Sequence, residues 1–522
     1  MAEKTAFKII SKTLRQVINR SSSTLSHAMT SDLAVPGSTV RSFDEIPGPT
    51  GIHRWPVIGT LLNFQPFTEF TAENTYQLLR SMYLQYGPIF RLKLGEDTVV
   101  LTDPEDVGTV YANEGRCPLR PNLSLRDAYA RRNGLTLRDV STLQGEEWQA
   151  LRSPLNKLLV RVNAATHYLP AQSQVADDLV NSLAREDLTA EKISELLFRF
   201  SAESIGVVCF NSRLGLLQNI NEDNAEIQQF LQAAKDNFTA LHDSLTGKSL
   251  AHTLYRNTTY TQYENSMIVL SQYSRKLITQ ARQKLDQHRN EQSFNPEKHN
   301  LLNSLLSDKS LDDESVSQIL ESLFIGGTDS TAGSIAALFY NLARNPDKQD
   351  KLAAEVKQCT GSASEVTPEM ISRMHYLKAC VKESFRLHYP ASTVFRVLSK
   401  DIVVSGYHVP AGVQIFLMNA LTCEHHFENP RQYLPERWMR SFEGHLGDSI
   451  PKNAVLPFSM GPRNCIGRRF AEQEIYLSAI KVLQKLKIGI ADESRDVKFV
   501  YRIFLQPEQP IQFTFTKRSE GM

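Results

Sequence analysis

The chain of 522 residues sets 58 lysines and arginines against 57 aspartates and glutamates, a formal net charge of +1. That balance leaves no overall field to hold nucleic acid or another polyanion, so no nucleic-acid role is expected and a charged partner must meet a local patch. Hydrophobic residues at 41% and charged residues at 22% exclude the collagen, coiled-coil and disordered classes.

The first stretch, MAEKTAFKIISKTLRQVINR, has helical periodicity. At about 100° per residue, Lys4, Lys8, Lys12 and Arg15 share one face, and Phe7, Ile10, Leu14 and Val17 share the opposite one. With Glu3 as its only acid and a serine-rich continuation, the segment has the composition of a mitochondrial transit peptide, and residues 1–42 are expected to be presequence and linker. An ordinary surface helix or one lying on a membrane would show the same periodicity. No apolar run of about 18 residues occurs, which argues against a transmembrane anchor. Pro47, Pro49 and Pro56 then enforce extended backbone. Residues 43–522 are expected to form one domain.

Within that domain the periodicity predicts helices at 146–160, 184–209, 262–289, 311–345, 348–359 and 466–486. Strand signals cluster in PIFRLKLGEDTVVLT and DIVVSGYHVPAGVQIFL, where turn residues separate apolar runs. The expected fold class is mainly α with a small β part. Asn237-Phe238-Thr239 and Asn257-Thr258-Thr259 match the glycosylation pattern, which needs a secretory route to matter and is read as coincidence.

Several residue pairs stand out along the chain. Trp148 and Arg152, four apart, project the same way from a helix. Gly326 and Gly327 interrupt an apolar helical run, where each glycine costs about 1 kcal/mol relative to alanine, so a packing or functional reason is needed. Glu383 and Arg386, three apart, are neighbours on one helical face and by themselves read as a surface ion pair.

The cysteines, Cys117, Cys209, Cys359, Cys380, Cys423 and Cys465, form no C-x-x-C pair, against both a zinc ribbon and a disulfide framework and in favour of a reducing compartment. Cys465, in LPFSMGPRNCIGRRFAEQE, lies between a Gly/Pro/Arg turn and the start of a helix. Such a cysteine can be a buried hydrophobe, a nucleophile or a metal ligand. Backbone N–H groups and a helix N-terminus would stabilise its thiolate, which suits a metal ligand. Zinc would want further clustered ligands, whereas haem iron needs one axial ligand from the protein because the porphyrin supplies the others.

Phe458-x-x-Gly461-x-Arg463-x-Cys465-x-Gly467-x-x-x-Ala471 resembles the haem-binding loop of the cytochrome P450 family at every fixed position. The resemblance implies the cytochrome P450 fold, with haem b between a long oxygen-binding helix and the cysteine loop. It implies Cys465 as the axial iron ligand and Arg463 on a haem propionate, with Trp148, Arg152 and Arg396 as further cofactor-binding residues. A thiolate ligand pushes electron density onto iron and favours O–O cleavage. The resemblance also makes Glu383, Arg386 and Arg437 a structural triad. Gly326 to Thr331 resembles the family's oxygen-binding kink, with Asp329, Ser330 and Thr331 as the catalytic set. Ser330 stands where threonine is usual; it keeps the hydroxyl but loses the methyl that stiffens χ1.

YLKACVKESFRL, CIGRRFAEQE and FSAESIGVVCFNSRLGLL resemble the animal mitochondrial branch, especially its vitamin D and sterol hydroxylases. That resemblance spans residues 43–515. It implies monooxygenation of a lipophilic, sterol-like or secosteroid-like substrate with electrons from NADPH through a ferredoxin reductase and an acidic 2Fe–2S ferredoxin. Lys378 and Lys382 match the branch's docking lysines, with Arg468 and Arg469 adding charge beside the cysteine loop; a solvated basic face is the other reading of these four. A peripheral location on the matrix side of the inner mitochondrial membrane is expected. Substrate contacts are expected in segments 115–135 and 230–265, which carry no readable code. A haem-thiolate isomerase or dehydratase, and a haem sensor or carrier, remain as rival functions.

Overall fold

A computed structural model describes residues 40–55, 57–186, 188–217, 225–245, 255–289, 300–361, 363, 365–439, 450–494 and 496–518. The amphipathic face of residues 4–17 lies outside the described residues. At the centre is the long helix Asp313–Arg344. Asp312 caps it, its carboxylate accepting from Ser315 N–H at 2.9 Å. Apolar residues all round this helix are buried, from Val316 and Leu320 to Phe339 and Leu342, and the helices Ala190–Phe210, Thr258–Arg289, His375–Leu387 and Arg468–Lys485 pack against it. A helix apolar on every side is one that runs through a core.

The helices expected at 146–160, 262–289, 311–345, 348–359 and 466–486 are Gly145–Leu159, Thr258–Arg289, Asp313–Arg344, Pro346–Thr360 and Arg468–Lys485. The helix expected over 184–209 is Ala190–Phe210. It starts later because Thr189 is extended and its hydroxyl oxygen accepts from Lys192 N–H at 3.3 Å. A separate helix, Leu169–Leu183, precedes it. Ser124–Asn133 and Ala225–Leu245 are helices in the two segments where no code was readable.

The β part is small. Strands β1 (Ile89–Leu94), β2 (Glu96–Leu101), β3 (Val394–Val397) and β6 (Gln414–Leu417) form a sheet in the order β1-β2-β6-β3. Side chains alternate between its faces. Val99, Leu101, Ile415 and Leu417 join one apolar cluster, while Phe90, Val100 and Phe416 join another with Leu78 and Met82 of the helix Thr75–Tyr86. Arg396 on β3 stands opposite Ile415 and is fully buried. The strands β4 (Ile402–Val404) and β5 (Tyr407–Val409) form a hairpin whose turn residues Ser405 and Gly406 both have positive φ, as a two-residue turn between twisted strands requires. Strands β7 (Leu486–Ile490) and β10 (Phe513–Lys517) pair with each other, and β8 (Phe499–Tyr501) with β9 (Leu505–Pro507).

The two mid-helix glycines have different reasons to be small. A Cβ on Gly327 would stand 2.8 Å from Ile205 Cγ1, so this glycine lets the helix Ala190–Phe210 approach, and Ser201 Oγ donates to its carbonyl at 3.1 Å. A Cβ on Gly326 would meet nothing within 4 Å. Gly327→Ala is therefore expected to destabilise the fold by about 1 to 3 kcal/mol through overpacking. Gly326→Ala is expected to be neutral or stabilising by up to about 1 kcal/mol from helix propensity. Denaturant unfolding of the two variants checks the contrast.

Candidate functional site

The cysteine loop is shaped by its own backbone. Cys465 N–H donates to Phe458 O at 2.8 Å and Asn464 N–H to Gly461 O at 3.1 Å. Gly461 has φ +77°, and a Cβ there would stand 1.7 Å from Glu114 Oε1, so a side chain at this position would be strained and would displace Glu114. Gly467, next to the thiol, opens the helix Arg468–Lys485 and turns its N–H toward the Cys465 sulfur. Among the six cysteines Cys465 alone is exposed, yet enough protein surrounds it that burial pushes its thiol up. The Gly467 N–H and the Arg152, Arg120 and Arg468 guanidinium groups oppose that shift. The balance is upward, so this accessible sulfur at a helix N-terminus with cations nearby is protonated at neutral pH and becomes a thiolate when a metal ion takes the place of its proton.

Four arginines from four parts of the chain gather beside this loop. Arg396 on β3 pairs with Glu114 and also donates to Phe395 O at 2.9 Å. Arg463 donates to Leu143 O at 2.6 Å and to Gln144 Oε1 at 3.1 Å, and its guanidinium lies 4.3 Å from the Trp148 ring centre. Arg152 donates to Asn464 O at 2.8 Å, tying the helix Gly145–Leu159 to the cysteine loop. Arg120 donates to Arg463 O at 3.0 Å. Burial pushes Arg463 down to about 9, with repulsion from Arg120, Arg396 and Arg152 adding to it. Burial likewise brings Arg120 and Arg152 to about 10. Nε and Nη1 of Arg463 and Nε of Arg120 are buried with no partner. Buried guanidinium N–H groups left unspent in a cluster with one carboxylate call for an anion, and the fork geometry suits carboxylates. Arg120, Glu114 and Gln144 were not legible in the sequence: no motif or periodicity marks them.

On the long helix, Ser330 Oγ donates back to Gly326 O at 3.0 Å. Asp329 Oδ2 accepts from Gln506 Nε2 at 2.6 Å. Burial pushes the Asp329 carboxyl up to about 6, against the opposing effect of Gln506, Arg502 and Lys235. Thr331 is buried, and Asp329, Ser330 and Thr331 point about 100° apart in succession, the first bonded to Gln506 and the second to Gly326 O. Gln506 is a further residue that carried no sequence signal.

Glu383, Arg386 and Arg437 are joined in one buried network. Arg386 makes a two-bond fork to Glu383 at 2.9 and 2.8 Å, and Arg437 Nε reaches it at 3.2 Å. Trp438 Nε1 at 2.9 Å and Leu434 N–H at 3.0 Å complete the carboxylate. The remaining arginine donors go to the carbonyls of Pro430, Gln432 and Asn429. On the outer face of the same helix Lys382 is exposed, and Lys378 is half-buried with its Nζ donating to Ser372 O at 2.7 Å. Burial lowers Lys378, and Glu355, Lys382 and Glu472 are its charged neighbours. Glu472 also pairs with Arg468 at 2.9 Å and Arg469 at 3.8 Å, so the two basic pairs share one surface with an acid between them. Among the described residues no group of three or more His, Cys, Asp or Glu is placed to hold a metal ion, and no helix is long and apolar enough to cross a membrane.

Comparison with known proteins bears on this arrangement. The family model described as Cytochrome P450 matches residues 49–515. The human protein named cholesterol side-chain cleavage enzyme, mitochondrial, is 30% identical over 91% of this chain and 89% of its own length. The protein of the same name from Oncorhynchus mykiss is 28% identical over 93% of this chain and 92% of its own. Cytochrome P450 10 of Lymnaea stagnalis is 26% identical over 94% and 88%.

Removing one partner from the Glu383 network leaves the others buried and uncompensated. Glu383→Ala is expected to destabilise the protein by about 3 to 5 kcal/mol, because Arg386 and Arg437 lose their counter-charge. Lys382→Ala, at an exposed position on the same helix, is expected to change stability by no more than about 0.5 kcal/mol. Urea unfolding of both variants measures the difference.

Proposed function

This chain belongs to the cytochrome P450 family of haem-b monooxygenases, and from that premise we propose that Cys465 is the axial ligand of the haem iron and that the arginine cluster receives the two haem propionates. The observation that carries the proposal is the accessible Cys465 sulfur at a helix N-terminus, with unspent buried N–H groups of Arg463 and Arg120 beside it. The residues present fit the group: one thiol for iron, and forked donors for two carboxylates. When bound, haem supplies the site at which oxygen and two electrons are used to place one oxygen atom in a C–H bond and release the other as water.

The chain's own residues do the rest. The Gly467 N–H and the positive end of the helix Arg468–Lys485 stabilise the anionic sulfur. Arg463, stacked on Trp148, and Arg120 orient the propionates; Arg152 holds the cysteine loop through Asn464, and Arg396 with Glu114 closes the cluster. Ser330 carries a hydroxyl one helical turn from the open position at Gly326, and Asp329 exchanges protons with solvent, its pKa near 6 suiting a group that both takes up and gives a proton.

The proposed substrate is a lipophilic molecule of sterol or secosteroid type, supported by the relatives named for cholesterol side-chain cleavage. Their names and the basic amphipathic pattern of residues 4–17 support a mitochondrial location, peripheral on the matrix side of the inner membrane. The proposed electron donors are NADPH, a ferredoxin reductase and an acidic 2Fe–2S ferredoxin, which Lys378, Lys382, Arg468 and Arg469 would meet. Product formation by purified protein that depends on reductant, ferredoxin and oxygen tests the whole reading; turnover without reductant would point to an isomerase or dehydratase instead.

Three further outcomes are expected. Cys465→Ser loses the thiolate-type absorption of the ferrous carbonyl complex, since a hydroxyl is no substitute for the anionic sulfur, and an unchanged spectrum removes Cys465 as ligand. Reversing Lys378 and Lys382 to Glu lowers the rate of reduction by ferredoxin at least tenfold, a loss of about 1.4 kcal/mol or more in docking, while sterol-induced spectral change persists. In the unaltered protein the reduction rate falls as added salt shortens the Debye length below about 8 Å.

A further inference from the structure

Asp329 lines a cleft of about 730 Å³ between the helices Ala190–Phe210 and Ala225–Leu245, the long helix and the β8–β9 hairpin. The hairpin is seated on the long helix at Gly333, where a Cβ would stand 2.6 Å from Leu505 O. The two residues that flank its turn are anchored: Leu505 N–H donates to Pro390 O at 2.8 Å and Tyr501 OH to Tyr389 O at 3.0 Å. Its turn touches the opposite wall, with the Phe504 and Phe238 rings edge to face at 5.9 Å. From β9, Gln506 reaches Asp329.

The charged groups facing the cleft come from every wall. Glu191 and Glu195 are on the Ala190–Phe210 helix, Lys235, His242 and Asp243 on the Ala225–Leu245 helix, Arg502 and Glu508 on and beside the hairpin, and Glu73 on the segment before the helix Thr75–Tyr86. Lys235 is paired with Glu195. Burial raises the proton affinity of Asp329, and three groups lower it: Gln506, then Arg502, then Lys235. The first two ride on the hairpin. The third is on the helix whose Phe238 touches that hairpin.

We propose that Gln506 is a positioning residue that holds Asp329 in the substrate-free enzyme, and that a lipophilic substrate entering against Phe238 and Phe504 shifts the β8–β9 hairpin and frees Asp329 to carry protons. Freed, the carboxylate takes a proton from hydronium in the cleft, passes it to the Ser330 hydroxyl as that hydroxyl gives its own to the oxygen atom released as water, and returns to the carboxylate form. Proton supply then follows substrate occupancy. The inference rests on the proposed proton path through Asp329 and Ser330 and adds its control.

The test is an infrared pH titration of the haem-loaded full chain, reading the carboxyl stretch of protonated Asp329, which is identified by its loss in Asp329→Asn. Gln506→Leu removes a donor to the ionised form, so the midpoint is expected to move to higher pH. Gly333→Ala pushes the hairpin from the long helix and is expected to move it the same way. Saturating cholesterol, its binding scored separately by haem absorption, is expected to shift the unaltered protein upward and Gln506→Leu by less. An unmoved midpoint in Gln506→Leu overturns the positioning role, and a shift there without one in Gly333→Ala overturns the hairpin coupling. Cholesterol that binds and leaves the midpoint in place overturns the substrate trigger. Cholesterol that fails to bind counts against the sterol reading of the substrate, and the two variants then decide the latch by themselves.

Discussion

Four guanidinium groups held in one buried neighbourhood, with Glu114 as the carboxylate among them, are the constraint on which the rest of this structure turns. Burying cations is unfavourable unless hydrogen bonds and counter-charge replace water. Much of the surrounding architecture provides those bonds: the carbonyls of Leu143, Phe395, Arg463 and Asn464 all accept from the cluster. What it leaves over, at Arg463 and Arg120, is donor capacity aimed at an anion. The sheet, the helix Gly145–Leu159 and the cysteine loop each bring one member, so the cluster fixes how these pieces sit around Cys465.

The Glu383 network also buries charge, and its carboxylate is fully bonded. Every oxygen of that carboxylate is bonded, and both arginines spend their further donors on backbone carbonyls. The same helix buries this network on its inner side and exposes Lys382 on its outer side.

The long helix divides its labour residue by residue. Gly327 takes the close contact with Ile205, Gly326 leaves room, Ser330 bonds its own backbone, and Asp329 is handed to the β8–β9 hairpin. Because successive residues point about 100° apart, a single turn of helix can pack, leave room and hydrogen-bond in different directions.

Local spacing was legible. The helical periods over 311–345 and 466–486, the i,i+3 pairing of Glu383 and Arg386, and the Gly461 and Gly467 flanks of Cys465 follow from helix geometry and backbone freedom, which the chain carries in consecutive residues. The start of Ala190–Phe210 was misplaced because the Thr189 cap outweighed the apolar period before it. Glu114 with Arg396, separated by 282 residues, and Gln506 with Asp329, separated by 177, had no such trace. The sequence by itself determined the family and the helical body. Tertiary structure alone decided that Arg120 and Glu114 join the arginine cluster, that Thr331 is buried, and that a hairpin glutamine bonds Asp329. Such contacts depend on where distant elements dock, and docking is set by the packing of whole faces rather than by any local pattern.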